Sequence, residues 1–170
     1  MTLEPWLRSP LPNIVEELQP VAAMFIAAKE DIVRATESMS AEALWNKNHG
    51  AATIGFHVLH LAGATDRLLT YAEGGELTDE QKNQLIAERN ANETHPSPDE
   101  VRAKLVETMD NAVRRLEGLT TQALSTPREL GRAKVPTTMR ALILHAGEHA
   151  ARHAGQIVTT AIIVSGGARV

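Results

Sequence analysis

Leu142–Thr160, LILHAGEHAARHAGQIVTT, is the stretch on which the fold turns. Together with its flanks it places Met139, Leu142, Ile143, Ala146, Ala150, Ile157, Ala161 and Val164 on one helical face. The spacing predicts a long amphipathic helix from about Pro136–Thr137 to Val164, stopped by the glycines at 166 and 167. Three histidines ride on it, His145, His149 and His153, each four residues from the next. Successive members of such a series stay on one side of a helix and drift slowly around it. His153 falls well inside the apolar stripe, His149 at its flank, and His145 further towards solvent.

Outward from this helix the chain reads as three more. Ile14, Val15, Leu18, Val21, Phe25, Ile32 and Val33 mark a helix from about Pro12 or Asn13 to Glu37, with Pro20 expected to kink it or start a new turn. Ser40 caps a short turn, and residues 46–52 read as a loop. Thr53 to Ala72 is a second helix, rich in apolar residues almost all round. A short polar helix opens at Thr78, where Gln81 completes a capping box. A loop is expected over 90–96. The third helix has the clearest start: Ser97 as cap, Pro98 in the first turn, Glu100 three residues after the cap. A connector over 119–135 then leads to the fourth. No segment reads as a strand and no repeat period appears, so the expected architecture is an all-α four-helix bundle.

Composition agrees. Hydrophobic residues make up 43% and aromatic residues 3%, which favours helix over sheet. At 170 residues one domain, 1–170 with its core at about 13–164, accounts for the chain. A net charge of −4 argues against nucleic acid as a partner. The chain has no cysteine, which removes thiolate ligands and cysteine nucleophiles and suits a cytoplasmic protein. The first twelve residues do not read as a signal peptide, and no apolar run reaches the ~20 residues of a membrane span.

Two imidazoles at i and i+4 can converge on one ion, and a third ligand must come from another helix. The second helix offers His57 and His60, three residues apart. The segment from His145 to His149 also fits the H-x-x-E-H order of inverted zinc proteases. That reading fails: Glu148 is the last acidic residue of the chain, so no later carboxylate can serve as a third ligand. Glu148 itself is expected to face solvent.

The pair TIGFHVLHLAGATDRLLTY (53–71) and LILHAGEHAARHAGQIVTT (142–160) resembles the two histidine segments of the DinB-like (DinB/YfiT-like) superfamily of bacterial metal-binding four-helix proteins. The resemblance implies one ligand from the second helix, where His60 in HLA fits, although His57 lies nearer the apolar stripe. It implies two from the fourth, where His149, His153, Gly155 and Gln156 match H-x-x-x-H-x-G-Q. His57 and His145 are then either neighbours of the site or, respectively, packed core and exposed surface. Three imidazoles suit zinc or nickel and leave coordination positions open. Relatives include thiol-dependent transferases and isomerases, so the resemblance implies an enzyme that activates a low-molecular-weight thiol, or a water for hydrolysis, on a small-molecule substrate. A non-catalytic metal-binding stress or sensor protein is the alternative. The resemblance also implies a homodimer, in which leftover apolar surface on the second helix, including Phe56, Leu59 and Leu69, would be buried.

Overall fold

The computed structural model describes residues 3–47 and 50–166; Asn48 and His49 of the expected loop and the glycine at 167 lie outside them. Six α-helices follow in order: α1 Gln19–Thr36, α2 Ala41–Leu44, α3 Ile54–Ala72, α4 Asp79–Thr94, α5 Pro98–Arg114 and α6 Met139–Val164. Four of them surround one core. α6 packs against α1 and α3, and α5 packs against the same two helices from the other side. Phe25, Ile32, Leu61, Leu105, Ile143 and Ile157 are fully buried between them.

Three caps fall where the sequence puts them, and Thr53, read only as the start of its helix, is a fourth. Ser40 accepts a hydrogen bond from the Ala43 amide and Thr53 from Phe56, while Thr78 and Ser97 each open a complete capping box. Three boundaries differ from expectation. A 3-10 turn, Glu16–Leu18, precedes α1, and the helix proper begins at Gln19 with Pro20 in its first turn, the one place where a missing N–H costs nothing. Asn13 adopts a left-handed φ of 61°, which rules out a helix there. α4 runs on through the expected loop to Thr94, stopped by His95 at φ 47°.

The third difference is a small hairpin in the connector. β1 Pro127–Leu130 pairs antiparallel with β2 Val135–Thr138, so Pro136 lies in a strand and α6 begins at Met139 with Thr138 as its cap. The strands are four residues long, too short for alternation to be read in sequence.

α4 has few apolar residues and docks on α3 through polar groups. The Gln81 amide donates to Asp66 Oδ2 at 2.6 Å and Thr70 Oγ1 at 2.8 Å, while Arg115 of α5 donates to Asp66 Oδ1 at 2.8 Å. α4 and β1 both pack on α3, so the chain itself covers much of that helix. Leu69 is buried, and Phe56 and Leu59 pack against the core. Large apolar side chains left exposed on helices among the described residues are Met24 of α1, Ile86 of α4, and Leu144, Ile162 and Ile163 of α6.

Candidate metal centre

The seam between α3 and α6 brings together histidines that are far apart in sequence. One nitrogen from each of His60, His149 and His153 lies within 4.8 Å of the others, a group that could hold a metal ion. Helical spacing explains the convergence: His149 and His153 stack on one face of α6, their ring centres 4.4 Å apart, and His60 meets both from α3 at 5.2 and 4.9 Å. Phe56, one turn before His60, lies parallel to its ring at 5.6 Å and fixes the ring plane.

Hydrogen bonds divide the ring nitrogens. His60 Nδ1 lies 2.5 Å from Glu88 Oε1 of α4. His57 Nδ1 lies 3.0 Å from His153 Nδ1, so one ring donates and the other accepts. His149 Nδ1 is buried without a hydrogen-bond partner among the described residues, a state that a bound cation would relieve. His145 is exposed, within 3.1 Å of Glu148, and its ring centre is 5.9 Å from that of His149. Glu148 faces solvent, as expected, and is also tied to Arg152.

Burial sets the charge state. It is the main cause that lowers the pKa of His149 and of His153 to about 4; the cationic form of each is further disfavoured by neighbouring imidazoles, His60 beside His149 and His149 beside His153. His57 is lowered by the same two causes, burial and then His60. All three rings are therefore neutral near pH 7, the form that coordinates metal. The neutral rings of His149 and His153, a buried nitrogen without a partner on His149, and a carboxylate behind His60 together fit a divalent transition metal.

The profile of the DinB superfamily matches residues 24–157, which include all these histidines. The chain belongs to the DinB superfamily. A solved structure described as a conserved protein from Enterococcus faecalis superposes with a TM-score of 0.63 at 18% identity, over 88% of this chain and 97% of that one. At that identity the likeness speaks for the fold alone. No curated protein shows significant similarity. Two neighbours of the cluster escaped the sequence reading. Glu88 and Arg67 are buried or nearly so and pair with each other at 3.1 Å behind His60. The signal for Glu88 in α4 is faint: Gln81, Glu88 and Ala91 share a helical face, and two of the three are polar.

The lowered pKa values fix a pH response of the metal-free protein. An unfolded histidine titrates near 6.5, whereas folded His149 and His153 refuse the proton until about 4. Between those values the unfolded chain binds more protons, so stability falls as pH drops from about 6.5 towards 4 and levels off below. Urea midpoints between pH 7 and 5, above the carboxylate range, should decline in the parent. A flat profile there would mean that the rings are not buried as described.

Proposed function

We propose that this DinB protein is a metal-dependent enzyme that holds zinc or nickel through His60, His149 and His153. The observation that carries the reading is the meeting of three histidines from α3 and α6, with their nitrogens within 4.8 Å. When bound by neutral imidazoles alone, a divalent ion keeps its double charge and lowers the pKa of a thiol or water that reaches it. We place a low-molecular-weight thiol first and a water second as the activated group; the absence of cysteine means that any thiol comes from outside the chain.

The chain's own residues do the remaining work. His57 orients His153 through their shared hydrogen bond, and Phe56 excludes water from one face of His60. His145 is the exposed imidazole nearest the cluster along α6 and can exchange protons with an incoming small-molecule substrate.

The test is an assay of the metal-loaded protein with a small thiol and a chromogenic electrophile, and separately with an activated ester. Turnover should disappear on chelation and return with zinc or nickel. Turnover that survives complete metal removal would refute metal dependence, and tight metal binding without either activity would favour the stress or sensor reading.

Among the described residues no helix is long and apolar enough to cross a membrane. A place in the cytoplasm belongs to the proposal on the cysteine-free composition. A twofold dimer belongs to the same proposal. Its surface shifts from α3, which the chain covers, to the exposed Met24, Leu144, Ile162 and Ile163 of α1 and α6. Light scattering at micromolar concentration should give twice the monomer mass of 18.4 kDa. A monomer mass would remove the dimer and leave the metal site standing, since one chain supplies all three histidines.

A further inference from the structure

Glu88 has a position that needs a reason. It is a carboxylate with a relative exposure of only 5%, on the mostly polar α4, where Gln81 and Ala91 share its buried face. Burying a carboxylate is costly unless each oxygen finds a donor. Here both do: Oε1 lies 2.5 Å from His60 Nδ1 and Oε2 accepts from Arg67 Nη1 at 3.1 Å.

The floor beneath this pair is Gly63. A Cβ built on Gly63 would lie 2.7 Å from Glu88 Oε2 and 2.6 Å from Arg67 Nη1. The helix interior therefore lacks a side chain at the one point where the carboxylate and guanidinium come down onto α3. Glycine there costs helix stability relative to alanine. His60, Gly63 and Arg67 follow one another at i, i+3 and i+7, so one face of α3 carries the imidazole, the gap and the cation.

We propose that Glu88, seated over Gly63 and held by Arg67, is the positioning residue of the histidine cluster. An ionised carboxylate only accepts, so the Nδ1 of His60 must carry the proton and donate it. That leaves the Nε2 lone pair free for an ion and fixes the ring's rotation. A carboxylate behind a ligating imidazole also makes that imidazole a stronger donor to metal. The inference rests on the three-histidine reading and adds α4 to the site: the helix is held against α3 to bring this carboxylate to His60.

Two measurements test it on the full chain. The first is zinc affinity, read by competition with a chromophoric chelator, for the parent, Glu88→Gln, Glu88→Ala, Gly63→Ala and His60→Ala, each checked for parent-like circular dichroism. The second is the 15N spectrum of labelled histidine in the metal-free protein, which reports the protonated ring nitrogen of His60. We expect the parent to show His60 protonated at Nδ1, and the Glu88 variants to show a mixture of tautomers, which a merely structural role would not produce. Zinc affinity should fall ~10–100-fold in both Glu88 variants. Gly63→Ala should weaken zinc in the same direction, because only the flexible ends of Glu88 and Arg67 need move to admit the methyl group; it covers the case in which a Glu88 variant fails to fold. Parent-like zinc affinity in the folded Glu88 and Gly63 variants, beside a weakened His60→Ala, would overturn this proposal alone. Parent-like affinity in His60→Ala would overturn the three-histidine reading and this proposal with it.

Discussion

Replacing His149 and His153 together by alanine is expected to abolish stoichiometric binding of zinc or nickel. The two residues supply two of the three nitrogens that meet at the α3–α6 seam, and His60, the one member of the group left, cannot hold an ion alone. His60→Ala, His149→Ala and His153→Ala should each lose most of the bound ion, because a three-ligand site with open positions has no spare donor. The neighbours should matter less. His57→Ala removes a hydrogen bond to His153, and His145→Ala removes an exposed ring; each should weaken affinity by ~10–100-fold at most. The measurement is metal content by mass spectrometry after dialysis, with circular dichroism to confirm folding. A well-folded double variant that retains the ion as the parent does would sink the assignment. A loss at His57 as large as that at His60 would mean that the wrong member of the pair was chosen.

Phe25→Ala is expected to be the most destabilising single change in the core. Its ring is completely buried on α1, between the helices that pack on either side. Truncation removes the transfer energy of the ring and leaves a cavity that rigid helices close only in part, which costs about 3–5 kcal/mol. For a chain of this length each kcal/mol lowers the melting temperature by ~2–4 °C. Ile86→Ala makes the control: Ile86 is 56% exposed and outside the proposed dimer surface, so its loss should stay within ~0.5 kcal/mol. Paired urea denaturation curves decide the matter. A loss below about 1 kcal/mol at Phe25 would contradict a close-packed core around it.

The parts of this molecule that sequence revealed are those written in local spacing. The Thr78 and Ser97 capping boxes lie within four residues each, and the apolar stripe of α6 repeats over seven turns, so each can be read without knowing what it packs against. The i, i+4 pair His149–His153 is local in the same sense. Which histidine of α3 joins it is not local. Periodicity favoured His57 and the family resemblance favoured His60; in the fold His60 joins the cluster while His57 bonds to His153 from the side. Glu88 was invisible because its partner His60 lies 28 residues away on a different helix. An acidic residue in a polar helix normally signals solvent, and only the docking of α4 reverses that meaning. The hairpin was missed for a related reason: pairing between Pro127–Leu130 and Val135–Thr138 supplies what four-residue strands lack in intrinsic preference.

The α3–α6 seam has a bearing on how the protein fares when ion supply changes. Any ion gripped by His60 on one side and by His149 and His153 on the other adds a tie between two helices otherwise joined by packing and the His57–His153 hydrogen bond. Such an ion binds the native chain and not the unfolded one, so by mass action it adds about 2.7 kcal/mol of stability at a hundredfold excess over its Kd. Proteolytic lifetime follows the population of the unfolded chain. On the proposed site, the steady amount of this protein in a cell would then track the supply of its ion, and scarcity would shorten the life of the protein itself.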